Sequence, residues 1–382
     1  MIYHYSPKIV GNELEYVKKS IQDGWICLGS NIVKFENKIK NYVKSKYSVA
    51  VNSGTAALHL SLILSKVEKG DEVIVPSLTF ISPVNTVLYC GASPIFMDCD
   101  NFFNIDQTKT IEFIEKNTYY KNGFTYNKKT QKKIKALIIV HVWGNACEID
   151  KLVPILKKRN IKLIEDASEA LGTKYIKGKF KNKFAGTIGD FGCFSFNMNK
   201  IITTGQGGML LSNKKNMAKK AKYLSSQAKN DSFAYVHNEV GYHYRLNNIL
   251  AGIGLAQFKN LKLFIKRKKY INNFFKNKLS NNKFVKIAPS PKFANNNFWH
   301  TIFLIKDFKF KKKLINEFNK NKIQTRLVWL PNHRQKHLKY FQKFKVKNAD
   351  RLVKQSICAP CGNHITDHNL NLILKIINKI SL

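Results

Sequence analysis

Between positions 48 and 164 the chain keeps switching its hydrophobic period. Apolar runs at 48–51, 72–75, 94–97, 136–140 and 163–164 read as strands, and segments such as 81–89 and 153–158 read as helices. A further helix opens at Thr55, directly after the turn Asn52-Ser53-Gly54. Strands alternating with helices are the rhythm of βα units, because a parallel neighbour is reached only through a crossover. The expected fold is α/β, with a mixed, mostly parallel sheet sandwiched by helices.

Two amphipathic helices, 12–21 and 32–43, precede this region around a Gly24-Trp25 turn. A polar, lysine-rich stretch at 117–133 reads as an excursion from the sheet, a hairpin or a loop. Six glycines and several aromatics between 186 and 213 suggest adjacent strands with tight turns. A long helical region follows at 247–279, then strand candidates at 299–305 and 324–330 and a terminal helix at 370–380. This predicts a large domain at 1–255, including the N-terminal helices, and a smaller α+β domain at 256–382. No internal repeat is evident.

Composition narrows the class of protein. With 44% apolar and 12% aromatic residues in 382, the chain can bury a sizeable core, which excludes wholesale disorder. No run reaches the roughly 18 apolar residues of a membrane span, and the start lacks the apolar centre of an export signal. Seven cysteines without framework spacing fit a reducing compartment, so the expected location is the cytoplasm. The net charge is +41, but its lysines are spread along the chain among asparagine and isoleucine. The plainest reading is lysine filling exposed positions. Attraction of an anionic small molecule comes second and a nucleic-acid partner third.

Three segments carry chemistry. In FSFNMNKIITTGQGG, residues 194–208, Lys200 lies in a mostly uncharged stretch before a glycine turn. A lysine in a drier site shifts towards the neutral amine that attacks carbonyls, although a lysine snorkelling from a strand end looks the same in sequence. In LIEDASEALG, 163–172, a short strand ends in Glu165-Asp166, where open α/β sheets place ligands. A carboxylate there can pair with a cationic ring nitrogen, or it can cap the following element. In VNSGTAALHL, 51–60, Gly54 and Thr55 open a helix whose amides can cradle a phosphate or merely begin an ordinary capped helix. No GxxxxGK[ST] is present, and no GxGxxG follows a strand. Together, a phosphate cradle, a strand-end acid and an isolated lysine meet the needs of pyridoxal 5'-phosphate (PLP).

The chain here resembles the DegT/DnrJ/StrS aminotransferases, PLP enzymes that place amino groups on nucleotide-linked keto sugars. The resemblance runs through GNELEYV, GWICLGSNIVKFE, NSGTAALHL, PSLTFISPVN, EDASEALG, FSFNMNKIITTGQGGM and GYHYRLNNILAGIGLAQ, in family order. It implies fold type I and a homodimer with active sites at the subunit interface. By position, Lys200 is similar to the lysine that holds the cofactor's aldehyde and Asp166 to the acid at its ring nitrogen. Gly54, Thr55 and Ser195 match the phosphate-binding residues. Phe80 sits where the family stacks an aromatic ring, with a buried core aromatic as the alternative. Glu169 occupies a place often held by Gln or His near the phenolic oxygen, with an exposed helix acid as the alternative.

Two positions depart from the pattern. His243 stands where the family commonly has an Asn that reaches the neighbouring subunit's cofactor phosphate, so it is either a donor there or a packing residue. Gln206 replaces the usual Glu of GEGG. In QTRLVWLPNHRQ, 324–335, Arg326 can clamp a carboxylate and His333 can touch substrate, unless both are surface residues. Cys358 and Cys361 have CxxC spacing without the second pair of a zinc site, so no metal is expected. The opening, the excursion and NKIITTGQGGM look most like the branch that makes bacillosamine and legionaminic acid precursors. That branch aminates C4 of a UDP-linked 4-keto-6-deoxy-N-acetylhexosamine with L-glutamate as donor, in a ping-pong sequence. Perosamine- and viosamine-type synthases on GDP-, UDP- or dTDP-linked keto sugars are the alternatives. The expected partners are thus a nucleotide sugar and an amino acid, with no nucleic acid and no membrane. A basic nucleic-acid binder and a non-catalytic sensor of the same fold stand as readings from other classes.

Overall fold

The computed structural model describes residues 1–231 and 233–381. Its frame is a ten-stranded sheet built largely from the alternating region. The strands Glu72–Pro76, Ser93–Met97, Lys133–Val140, Lys162–Asp166 and Phe191–Ser195 run parallel. Gly208–Ser212 pairs antiparallel with Phe191–Ser195, and Tyr47–Val51 pairs antiparallel with Gly208–Ser212. Tyr47–Val51 therefore points the same way as the parallel set. The central strands are almost wholly buried because helices cover both faces.

The excursion at 117–133 is a hairpin, Thr118–Lys121 with Phe124–Asn127, and the second strand joins the edge of Lys133–Val140. The glycine-rich region does supply adjacent strands, but a twelve-residue loop, not a tight turn, joins Ser195 to Gly208. The long helical region divides at Asn260 into Asn248–Lys259 and Leu261–Lys278. Position 255 falls inside the first of these, which packs on the helices Glu13–Gln22 and Ser30–Val43 of the large unit. We place the change of unit at the Asn260 turn. The smaller unit holds a four-stranded antiparallel sheet whose strands come from Val285–Ile287, Ile302–Ile305, Arg326–Leu327 and Ser356–Cys358.

The C-terminal half also returns to the large sheet. Lys343–Phe344 adds a parallel strand beside Ser93–Met97. The buried Asp98 carboxylate then receives the first amides of the helix Lys347–Gln355, Asn348 N–H at 3.0 Å and Ala349 N–H at 2.8 Å. Lys109 Nζ donates to the same carboxylate at 2.6 Å, which neutralises its charge. An anion at a helix start meets unpaired amides and the positive end of the dipole.

Nearby Asp100 accepts the amides of Phe102 (2.8 Å) and Asn104 (3.0 Å), yet burial pushes its carboxyl up to about 7. The folded protein thus holds a proton that the unfolded chain, near 3.8, releases. The associated stability is complete below about pH 4 and is lost as pH rises through about 7. Asparagine keeps the acceptor oxygen and carries no charge. Asp100→Asn is therefore expected to stabilise the protein at pH 8 by up to about 4 kcal/mol, three units at about 1.36 kcal/mol each. Urea unfolding of parent and variant at pH 8 and pH 5 measures it, and the gain must shrink at the lower pH.

Candidate active site

A parallel sheet ends all its strands at one edge, and the loops after them share one crevice. Here that crevice is a cavity of about 580 Å³. Ser53, Gly54 and Thr55 follow Tyr47–Val51, and Thr79 and Phe80 follow Glu72–Pro76. Trp143 follows Lys133–Val140, and Ser168 and Glu169 follow Lys162–Asp166. Asn197 and Lys200 follow Phe191–Ser195. Arg326 and Trp329 close the opening from the smaller unit.

Glu165 and Asp166 are neighbours with opposite fates, because successive strand residues face opposite sides. Glu165 is fully buried and accepts the amides of Gly186 (2.9 Å), Ile188 (2.5 Å) and Gly189 (2.6 Å). His141 Nε2 lies 3.0 Å from it, while His141 Nδ1 takes the Cys147 amide at 3.0 Å. The accepted amide leaves Nδ1 without a proton, so the ring is neutral and donates from Nε2 to Glu165. Asp166 faces the cavity. Its Oδ1 accepts the Ser168 amide at 3.0 Å, and burial raises its carboxyl above the ordinary range while Ser168 and the Lys200 charge hold it down.

Lys200 sits in the loop between Ser195 and Gly208, anchored by its own backbone. Its amide donates to Asn197 O at 3.0 Å, and its carbonyl accepts Tyr5 Oη–H at 2.7 Å. The Nζ atom lies 3.7 Å from Glu169 Oε1 and 4.2 Å from the centre of the Trp299 ring. Glu169 is only 4% exposed, and burial pushes its carboxyl up to about 7 against the pull of Lys200. Its second oxygen, Oε2, accepts the Trp143 amide at 2.8 Å. Trp143 has a φ of 59°, the left-handed region that L residues rarely occupy. That turn, Val142–Gly144, lays its indole on Trp329 at 4.2 Å.

The residues present fit a phosphorylated pyridine aldehyde. At the start of the helix Gly54–Leu64, Ser53 Oγ caps the Ala56 amide and Ser53 O takes the Ala57 amide, so the amides of Gly54 and Thr55 have no intrahelical partner. A Cβ at Gly54 would lie 2.9 Å from Ser195 Cβ and 3.0 Å from Ser168 Oγ, so the cradle admits only glycine. Thr55 Oγ1, donating to Ser82 Oγ at 3.1 Å, and Ser195 Oγ supply hydroxyls around it. Phe80 is 52% exposed and lies on the cavity wall, which answers the buried-aromatic alternative and leaves a ring face for stacking. Glu169 is no exposed helix acid either.

Two expected site residues lie elsewhere. His333 does not line this cavity. It is buried off the cavity, with Nδ1 2.9 Å from Ser77 Oγ and Nε2 3.5 Å from Asp350 Oδ1, so its ring is engaged within the fold. Its neighbour Asn332 donates its amide to Ser77 O at 2.7 Å and its side chain to Thr79 O at 3.0 Å, which pins the loop that carries Phe80. His243 is exposed and lines a second cavity of about 640 Å³ with Asn52 and Arg245. Gln206 borders both cavities. Conversely, the structure brings in His4, Tyr5, Ser168 and three tryptophans that motif reasoning passed over. Of these, Ser168 and Trp329 lie inside segments read for chemistry, 163–172 and 324–335.

With this geometry in place, the comparisons are decisive. Residues 7–378 match the DegT/DnrJ/EryC1/StrS aminotransferase family. The chain belongs to that family. The aminotransferase is 37% identical over 330 residues to GDP-perosamine synthase of Escherichia coli O157:H7, spanning 86% of this chain and 85% of that one. It is 29% identical to the UDP-4-amino-4,6-dideoxy-N-acetyl-β-L-altrosamine transaminase of Campylobacter jejuni strain 81-176, spanning 94% and 92%. The solved structure of Helicobacter pylori PseC, an aminotransferase involved in the biosynthesis of pseudoaminic acid, superposes with a TM-score of 0.87. That match covers 99% of this chain and 98% of the other at 22% identity, and it speaks for fold type I alone. The enzyme is a PLP-dependent transaminase. Among the described residues, no helix is long and apolar enough to cross a membrane.

Proposed function

We propose that this sugar aminotransferase moves an amino group from L-glutamate to C4 of a nucleotide-linked 4-keto-6-deoxyhexose. The observation that carries the reading is the convergence of Lys200, Asp166 and the Gly54–Thr55 helix start in one cavity of a chain from this family. PLP supplies the electron sink that makes a Cα proton removable. The chain supplies the rest. Lys200 Nζ holds the aldehyde carbon until the donor displaces it, and the freed amine then carries the proton away from the donor's Cα. Asp166 would keep a proton on the ring nitrogen by lying beside it as a carboxylate. Gly54, Thr55 and Ser195 would hold the phosphate, Phe80 would stack on the ring, and Glu169 would lie near the phenolic oxygen. Arg326 forms no ion pair among the described residues, which leaves its fork for a substrate carboxylate or diphosphate.

The GDP-perosamine synthase likeness supports a perosamine-type acceptor. The likeness to the altrosamine transaminase supports the UDP-linked N-acetyl sugar. The hairpin at 117–133, on which the latter reading mainly rested, has no residue on the cavity wall. We therefore favour the GDP-linked sugar, with the UDP-linked N-acetyl sugar as the second reading. A homodimer fits His243. Its cavity adjoins the first at Gln206 and is bordered by exposed Leu28, near exposed Trp25 and Ile26, an apolar face that a second copy would cover. We place the enzyme in the cytoplasm, where nucleotide sugars and PLP are available.

The test is incubation of the purified protein with PLP, L-glutamate and GDP-, UDP- and dTDP-linked 4-keto-6-deoxy sugars, with products weighed by mass spectrometry. An amino sugar from one of them, with 2-oxoglutarate released in equal amount, is the expected result. No amination and no 2-oxoglutarate with any of them would remove the proposal.

A further inference from the structure

A lysine attacks a carbonyl as the neutral amine, whereas in water at neutral pH the ammonium dominates. Glu169 Oε1 lies 3.7 Å from Lys200 Nζ, and the Trp299 ring faces it at 4.2 Å. Cofactor capture therefore needs somewhere for a proton to go. Asp166 forms no ion pair with Nζ among the described residues, whereas Glu169 does. The Trp143 amide binds Glu169 through Oε2 and leaves Oε1 turned towards the lysine. An amide such as Gln has no basic site to take that proton. A carboxylate does this work only if its affinity for protons is near that of its surroundings, and burial places Glu169 there, at about 7.

We propose that Glu169 is the base that deprotonates Lys200 during covalent capture of PLP. The inference rests on the reading of Lys200 as the attachment residue. The ammonium passes one proton to Glu169 Oε1, giving a neutral amine and a neutral acid. The nitrogen lone pair then bonds to the aldehyde carbon. The carbonyl oxygen leaves as water, taking the two remaining N–H hydrogens, and no oxidant or reductant is involved. The protonated Glu169 stays beside the new linkage and returns its proton when the lysine is released.

Other groups around the pair do not compete for this role in the neutral range. His300 is held well below its ordinary value by burial and by the nearby charges of Lys268 and Lys200, so it is neutral. His4, pushed down to about 4, is neutral too, and Cys358 is held well above its ordinary value by burial. Asp166 is committed to the ring nitrogen.

The experiment mixes cofactor-free protein with PLP and follows growth of the visible absorption band between pH 6.5 and 9.5. The parent is expected to capture PLP at a rate that falls below about pH 7 and is level above it. Glu169→Gln keeps an acceptor for the Trp143 amide, and it should capture PLP about 100-fold more slowly at pH 7. Its rate should climb steadily with pH as hydroxide takes over. Binding of pyridoxamine phosphate, which forms no bond to Lys200, checks that the variant site is intact. Should the Gln variant fail that check, Glu169→Asp decides: a rate level above its own carboxyl titration supports the proposal, and a rate rising with hydroxide overturns it. An intact Gln variant with the parent's rate and pH profile also overturns it. A parent that never captures PLP would instead overturn the reading of Lys200.

Discussion

Lys200→Ala is expected to abolish transamination, a loss of at least about 10⁵-fold in turnover. The variant loses both the atom that holds the aldehyde and the base that moves the Cα proton, and effects of one group with two roles are not recovered by its neighbours. The fold should survive. The lysine's backbone bonds to Asn197 and Tyr5 do not use the side chain, and among the described residues Nζ pairs with the Glu169 carboxylate and faces the Trp299 ring. Without the ammonium, Glu169 is a buried acid lacking its cation, and it protonates rather than unfold the site. Formation of 2-oxoglutarate from glutamate, beside urea midpoints of both proteins, measures this. Parental turnover by the variant would rule Lys200 out.

Asp166→Asn is expected to cut turnover by about 10³-fold with little change in stability. The amide oxygen still accepts the Ser168 amide, so the local bond persists. The carboxylate charge that stabilises a protonated ring nitrogen is gone, and an NH₂ group facing that nitrogen favours the unprotonated ring. The strand end should hold because its structural bonds belong to Glu165, which binds three amides and His141 from the opposite face. Steady-state kinetics and thermal unfolding separate the two effects. A turnover near the parent's would remove Asp166 from the ring nitrogen, and a collapsed midpoint would make it structural.

How much of this was legible depends on how local each signal is. The helices Glu13–Gln22, Ser30–Val43 and Gly54–Leu64 and the central strands lie within three residues of their expected places. Their period is repeated over several residues, and a repeated period survives any tertiary context that buries one face. Lys200 and Asp166 stand out because the proposed chemistry needs charged groups at a strand end and before a glycine turn. The long run at 247–279 carried one helical pattern across the Asn260 break, since both helices bury apolar faces and no proline marks the interruption.

His333 reads as a polar residue in a loop, and only the arrival of Ser77 and Asp350 from distant parts of the chain turns it into a buried strut. His4 and Tyr5 reach the cavity because Ile2 pairs with Ile323 across the whole length of the protein. Lys343–Phe344 is too short to have any period, and it becomes a strand only because Ser93–Met97 offers an open edge. The sequence by itself determined the α/β rhythm, the cofactor class and the two residues proposed to hold it, all written in short windows. Tertiary structure alone decided the wall around them: the Trp143–Trp329 stack, the Glu169–Lys200 pair and the N-terminal strap. Those contacts join segments that share no local pattern, and they exist only once the core has brought the segments together.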